Sequence, residues 1–346
     1  MSSVLRTVFH LLGNGLALLT AFGLLARFVP PDVLWPPAIV ALLLPGLLLV
    51  TLLYALLVLY RRRWRAAVLP VLTILVAVPI SGRLFSLKAG GGAAAGAGER
   101  IRIATLNARG FKDAKARPVS DAKVTKLIVD LDADVLLLQE AATSHGNSAR
   151  VPLVKTAGAY PAVLHPRNRA VASLADNLEE VAVSLKGYNG FTVMDVTTAL
   201  GKIRFINAHL QSNRISGMAG QIGQDDTVQE ELDRAESMFR SYGAAARTRA
   251  RQAEDIRKYI EQSPHPVVLG GDFNDVPSSY TYQRLRTPRL RDAWVDRGFG
   301  LGTTFTGPLP GLRIDYLLVD TSLTVVDVER IETGFSDHRG LRVVLE

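Results

Sequence analysis

Asp272 and Asn274 stand two apart in Gly270-Gly271-Asp272-Phe273-Asn274, directly after the apolar run Pro266-Val267-Val268-Leu269. The run reads as a buried strand, and residues i and i+2 on extended backbone point the same way. A carboxylate and an amide held side by side suit a metal-bound phosphate. The carboxylate binds metal or orients a water, and the amide donates to a phosphate oxygen. Alone, the same residues also make ordinary turn chemistry.

Other segments carry groups of the same kind. Ile101–Asn107 alternates as a strand and delivers Asn107 to a loop. Asp134–Glu140 is an apolar strand ending in Glu140, a carboxylate that is costly to desolvate unless something such as a divalent metal binds it. Ile203–Leu210 carries Asn207 and His209 on one face. Leu312–Val319 buries Asp315, and Gly334–Gly340 offers Asp337 and His338 side by side, one metal ligand and one acid/base group. Each has a bland alternative: a turn asparagine, a solvated acid or a packed core histidine.

Helices must support these strands. Val124, Leu127 and Ile128 give Ser120–Asp130 an apolar face, with Ser120 placed to cap it. Asp226–Gln262 is charged and helical in pattern, with Gly243 expected to interrupt it and Arg247, Arg249 and Arg251 expected on a solvated face.

The 346 residues divide into two unlike parts. Residues 1–88 are dominated by Leu, Val, Ala, Phe and Pro; 89–99 form a Gly/Ala-rich run that reads as a flexible linker; 100–346 have the composition of a globular domain large enough for one core. The net charge of +8 suggests nucleic acid, but its distribution does not. The first part holds eight basic residues and one acid, leaving 32 basic and 31 acidic residues in the rest. Overall charge therefore makes no case for a nucleic-acid partner, though a local basic groove is left open. With no cysteine, disulfides, thiolate nucleophiles and zinc–thiolate sites are excluded.

Three apolar stretches, Val8–Phe28, Ala38–Leu59 and Ala66–Leu84, each approach the roughly 20 residues that cross a bilayer. Arg61-Arg62-Arg63-Trp64-Arg65 is the strongest positive cluster and belongs on the cytoplasmic side. Three spans then place residues 100–346 outside the cytoplasm, although Arg83, Lys88, Arg100 and Arg102 beside the third stretch argue the other way. The chain reads as an integral membrane protein with the bilayer as partner.

Leu-Leu-Gln-Glu, Asn-x-His-Leu, Gly-Asp-Phe-Asn, Arg-Ile-Asp-Tyr and Ser-Asp-His occur in this order. Together they resemble the endonuclease/exonuclease/phosphatase superfamily, deoxyribonuclease I-like enzymes, over most of residues 100–346. The resemblance implies a four-layer α/β sandwich, two mostly antiparallel sheets packed face to face with helices outside. It implies Mg²⁺, or Mn²⁺, held by Asn107, Glu140 and Asp337, with Glu140 a direct ligand. His209 would contact the scissile phosphate, Asp272 would orient or deprotonate the attacking water, and Asn274 would hold a phosphate oxygen. Asp315 would orient His338, which would act as base or transition-state stabiliser. The implied reaction is in-line attack of water on a phosphate ester, in nucleic acid or in a phospholipid or inositol phosphate. Glu180–Lys186 departs from the family's Ser-Arg/Lys-Pro pattern, and Glu180 is the candidate acid to pair with His209. The alternative is an inactive relative serving as a membrane-bound binding module. That alternative predicts loss of a catalytic group, and Glu140, Asp272, Asn274, Asp315 and His338 are all present.

Overall fold

A computed structural model describes residues 3–88, 98–142, 150–166, 171–213, 228–307 and 311–346. The apolar first part forms four helices: α1 (Ser3–Leu24), α2 (Pro36–Ala41), α3 (Leu44–Tyr60) and α4 (Trp64–Leu84). α1 runs antiparallel to α3, since Thr20 bonds Thr51 at 2.9 Å while His10 reaches Tyr54 at 3.2 Å, and parallel to α4, since the Thr73 hydroxyl reaches the Ala17 carbonyl at 3.4 Å while Leu24 clusters with Ile80 and Leu84. Two helices, Val4–Arg27 and Trp64–Leu84, are long and apolar enough to cross a membrane. The second expected span is not one helix. It breaks at Leu42 and Leu43, and Pro45 opens α3, leaving 17 residues, about 25 Å against a bilayer core of about 30 Å. The Gly/Ala-rich run lies almost wholly outside the described residues.

Beyond it, among the described residues, come α5 (Asp121–Leu131), α6 (Arg150–Ala157), α7 (Val228–Glu261), α8 (Tyr280–Leu285), α9 (Ala293–Arg297) and twelve strands. β1 (Ile101–Asn107), β2 (Val135–Gln139), β3 (Ala162–Leu164), β4 (Ala172–Ala175), β11 (Val325–Ile331) and β12 (Gly340–Leu345) form one sheet in the order β11-β12-β1-β2-β4-β3. β5 (Glu179–Lys186), β6 (Asn189–Thr198), β7 (Gly201–His209), β8 (Val267–Asp272), β9 (Leu290–Asp292) and β10 (Asp315–Asp320) form the other, ordered β5-β6-β7-β8-β10-β9. Among the described residues only β1 with β2 and β7 with β8 pair in parallel.

Leu136, Leu137 and Leu138 are all fully buried, yet successive strand residues face opposite ways. β2 must therefore be covered on both sides, which is why its sequence is a continuous apolar run. Leu137 joins Ile103, Phe205, Val268 and Leu317 between the sheets. Leu136 and Leu138 pack outward with Val124 and Ile128 of α5 and Val154 of α6. In the second sheet Ile206, Leu269 and Leu318 pack outward against Ile256 and Ile260 of α7. The result is the expected sandwich of helices, sheet, sheet and helices, with each fully buried Leu or Ile contributing about 1.5–3 kcal/mol.

Three expectations are corrected. Ser120 occupies the N-cap of α5 but makes no side-chain cap bond. Gly243 does not interrupt α7; a Cβ there would lie 2.7 Å from the Trp35 ring, so the glycine admits a close approach. Arg249 is buried, not solvated: it pairs with Asp275 at 3.1 Å, donates to the Gln211 carbonyl at 3.1 Å and lies over the Tyr242 ring.

Candidate active site

Topology gathers the chemistry-bearing residues at one end of the sandwich. β1, β2, β7 and β8 end there with Asn107, Gln139, His209 and Asp272. β10 and β12, antiparallel to their neighbours, begin there with Asp315 and Gly340. In register His209 lies opposite Asp272, and Asp272 opposite Asp315. Gly271 makes the first pairing achievable: its φ of +137° suits glycine, and an added Cβ would stand 1.9 Å from the Ala208 carbonyl oxygen.

Asp272 is the centre of the site and is buried. One carboxylate oxygen accepts the Asn274 backbone N–H at 2.8 Å. The other accepts Asn107 Nδ2 at 3.0 Å and Asn274 Nδ2 at 3.2 Å, and lies 3.8 Å from His209 Nε2 and 3.9 Å from His338 Nε2. Burial, then the negative charge of Asp315, raises the Asp272 carboxyl above its ordinary value, although His338 and His209 oppose this.

His338 Nδ1–H donates to both Asp315 oxygens, at 2.9 and 3.1 Å. Burial disfavours its charge, but Asp315 and then Asp272 outweigh that and push its pKa up to about 10. The imidazolium is therefore the form held at neutral pH. The Ile314 and Asp315 backbone N–H groups both donate to Thr304 Oγ1 at 3.1 Å, and the Phe305 ring meets the His338 ring edge-on at 5.2 Å. Ser336 Oγ–H bonds the Asn107 carbonyl at 2.8 Å and accepts the His338 N–H at 3.1 Å, joining the first sheet's end to the loop before β12.

His209 Nδ1–H donates to the Tyr188 carbonyl at 2.9 Å. Its buried Nε2 has no hydrogen-bond partner and stands 3.7 Å from Glu140 and 3.8 Å from Asp272. Glu180 is not its partner: that residue is exposed on edge strand β5, opposite Met194, whereas Gly190 pairs with His209. Four residues of β6 separate the two positions, about 13 Å.

Glu140 adopts φ +47° just after β2 and keeps its side chain 37% exposed. Asn107 Nδ2 reaches it at 3.2 Å, while Asn107 Oδ1 accepts the Arg109 N–H at 3.0 Å. The amide nitrogen of Asn107 therefore faces the carboxylates. Asp337 lies 3.7 Å from the Arg109 guanidinium. Among the described residues, Asp272, Asp315 and His338 have candidate ligand atoms within 4.8 Å of one another; Glu140 and Asp337 stand outside that group. Carboxylates with a solvent-facing Glu140, an orphaned imidazole nitrogen and no thiolate fit a hard divalent cation. Asn207, read as a companion of His209, is structural: it accepts Gln139 Nε2 at 2.7 Å and donates to the Ala172 carbonyl at 3.0 Å.

A groove of about 670 Å³ opens beside Glu140 and His209, lined also by Arg109, Lys112, Lys186 and Tyr188. The sequence left a local basic groove open but did not name the residues of this wall, and Thr304, which fixes Asp315, was missed. Arg109 had a signal, two residues past Asn107; Thr304 had none.

A match to the Endonuclease/Exonuclease/phosphatase family covers residues 104–338. The chain belongs to that family and is a phosphoric ester hydrolase. Residues 6–84 match a domain family of unknown function, and no protein of curated function matches the chain. Among solved structures, an endonuclease/exonuclease/phosphatase from Beutenbergia cavernae DSM 12333 is 18% identical, with 72% of each chain covered and a TM-score of 0.50. The fold is shared on that comparison. TDP2 of D. rerio, complexed with a single-strand DNA product, is 15% identical over 72% of this chain and 99% of its own, with a TM-score of 0.49. The human Nocturnin catalytic domain is 17% identical over 71% and 94%, with a TM-score of 0.45.

Proposed function

We propose that this chain is a membrane-anchored, divalent-metal-dependent phosphodiesterase acting on a nucleic-acid strand. The observation that carries the reading is the convergence on Asp272 of two amides and two imidazole nitrogens, one imidazole charged by Asp315. Asp272 orients the attacking water and takes its proton, for which its raised pKa suits it. His209, as the imidazolium with Nδ1–H on the Tyr188 carbonyl, gives its free Nε2–H to a phosphoryl oxygen, while Asn274, whose amide N–H groups go to the Leu210 carbonyl and Asp272, positions that carboxylate. The His338 imidazolium, fixed by Asp315, neutralises charge as it develops on the phosphoryl group. Glu140 and Asp337 would hold Mg²⁺ or Mn²⁺, with Asn107 orienting Glu140. When bound, the cation supplies Lewis-acid stabilisation of the phosphoryl charge.

The groove favours a polyanion. Arg109, Lys112 and Lys186 would meet phosphates flanking the scissile one, and the partly exposed Tyr188 offers a ring on which a base can stack. The anchor is α1 and α4, with α2 and α3 as the return. Because α1 and α4 are parallel, residues 100–346 leave the helices on the side opposite Arg6 and Arg61–Arg65. The positive-inside rule then puts them outside the cytoplasm.

The test is turnover by the full chain in neutral detergent with Mg²⁺ or Mn²⁺. Single-stranded DNA, RNA, sphingomyelin and an inositol phosphate serve as separate substrates. Cleavage of a nucleic acid that stops with excess EDTA is expected. Full turnover in EDTA overturns the metal assignment; hydrolysis of the lipid or inositol ester alone overturns the substrate assignment.

A further inference from the structure

At the end of the helical region farthest from the sandwich, a cavity of about 200 Å³ lies among Arg6, Phe9 and His10 of α1, Leu57 of α3, and Arg61 and Arg63 of the turn into α4. Three arginines line this one small space and stay exposed, so their like charges favour an anion drawn from outside the chain. The protein does not supply one here. Asp32 is the sole acid before residue 99, and it sits at the other end of the helices, paired with Arg251 at 2.8 Å. Among the described residues no ion pair is found for Arg6, Arg61 or Arg63. The His10 ring is turned to Tyr54, its Nδ1 lying 3.2 Å from the hydroxyl, and so adds a polar group rather than a counter-charge.

The walls of the cavity say where the anion comes from. Phe9 and Leu57 give it an apolar side, which a free phosphate ion has no use for and an acyl chain does. Tyr60 and Trp64 flank the same end and are 86% and 65% exposed, as aromatics at a headgroup layer are. α1 and α4 both begin at this end and α3 ends there, so two of the three helix termini add partial positive charge and one adds negative. Cations around a pocket, aromatics beside it and apolar helix faces leading away make a receptor for a lipid with an anionic head.

We propose that this cavity binds the phosphate headgroup of an anionic phospholipid from the leaflet on the arginine side. The inference rests on the membrane part of the proposed function and is independent of the chemistry at Asp272. The site fixes the depth of the helices in the bilayer and neutralises the three arginines.

The full chain in phospholipid-free maltoside micelles is titrated with dioctanoyl phosphatidylglycerol, dioctanoyl phosphatidylcholine and glycerol 3-phosphate, and bound ligand is counted by native mass spectrometry. Two charge-matched double variants are compared: Arg61→Gln with Arg63→Gln in the cavity wall, and Arg62→Gln with Arg65→Gln just outside it. One phosphatidylglycerol is expected to bind, with phosphatidylcholine and glycerol 3-phosphate far weaker. The cavity double variant should lose about tenfold or more in occupancy, the size expected for two arginines against an anionic headgroup. The outside pair should change little. Equal losses in the two pairs reduce the effect to general surface charge and overturn the proposal. So does equal binding of the two lipids. Glycerol 3-phosphate binding as well as phosphatidylglycerol overturns the lipid assignment in favour of a phosphate site. Carbonate-washed membranes from expressing cells separate this from the broader reading: wild-type chain released by the wash sinks the anchor itself, whatever the titrations show.

Discussion

The helical region has two ends, and they are built on opposite plans. At the end that meets the sandwich, three loose backbone carbonyls find partners across the junction. Pro45 has no N–H, so the Ala41 carbonyl four residues earlier lacks its helical donor, and Ser278 Oγ–H supplies one at 3.2 Å. Leu42 bonds back to Ile39 and Val40, which frees the Ala38 carbonyl for the Tyr242 hydroxyl at 3.0 Å. In the last turn of α4 the Arg83 carbonyl accepts Arg313 at 2.6 Å. Leu24, Leu44, Ile80 and Leu84 pack there against Val276, Phe305 and Ile314. At the far end, among the described residues, the arginines meet no carboxylate, and Tyr60 and Trp64 are bare. The near end is an internal interface and the far end is made for something outside the chain. The near end also touches the site, since Ile314 precedes Asp315 and Phe305 lies on His338.

The largest test of this contrast is removal of residues 1–88. Val276, Phe305 and Ile314 would lose their cover, at about 1.5–3 kcal/mol each, and the melting point of the remaining chain should fall by about 10 °C or more, with turnover falling too. A truncated chain that melts and turns over like the whole would reduce the near end to incidental contact.

Arg313→Met is next. Arg313 and Asp292 are both buried and paired at 2.7 Å, and removing one partner strands a charge, costing about 3–5 kcal/mol. Denaturant midpoints of the two proteins measure it. A shift no larger than that of an exposed arginine variant would show the pair to be unimportant.

At the site itself the effect should fall on rate, not on stability. His338→Ala and Asp315→Asn should each lower kcat on the order of 10² or more, and the double variant should be little worse than the worse single one. The pH profile gives the sign. His338 is charged below its pKa of about 10, so activity should be lost as pH rises through about 10. Without the Asp315 charge, burial is opposed chiefly by Asp272 alone, and the alkaline limb of Asp315→Asn should move down. An unmoved limb would remove this pair from catalysis.

How much of this was legible depended on range. Leu136–Leu138 announced a strand buried on both faces, because that needs only local alternation and its absence. Asp272, Asp315 and His338 were legible as motifs, the first two at strand ends and the third in the loop just before β12. Arg249 was misread because an arginine in a charged helix looks solvated until Asp275, 26 residues away, is placed beneath it. The Ser278–Ala41 bond was illegible for the same reason: a hydroxyl's partner carbonyl can lie anywhere, and 237 residues separate that pair. Thr304 was illegible at short range, because no pattern marks which loop hydroxyl will accept the N–H groups of Ile314 and Asp315, 10 and 11 residues away. The break before α3 did have a signal, Pro45, but apolar composition alone reads through it.

The smallest expected effect is the sharpest on the comparison. Ser278→Ala removes one hydroxyl and leaves the Ala41 carbonyl buried without a donor, since Pro45 cannot provide one. The cost should be about 1 kcal/mol, or up to ~3 if no water reaches the carbonyl. At the far end, Arg62→Gln with Arg65→Gln removes two full charges and should stay within about 0.5 kcal/mol, because both residues are exposed and no buried group depends on them. One neutral atom at the near end should therefore outweigh two charges at the far end. Melting points of the two variants, taken in the same neutral detergent, decide it. If the arginine pair proved the costlier change, the far end would be holding the bundle together, and the division of labour between the two ends would have to be reversed.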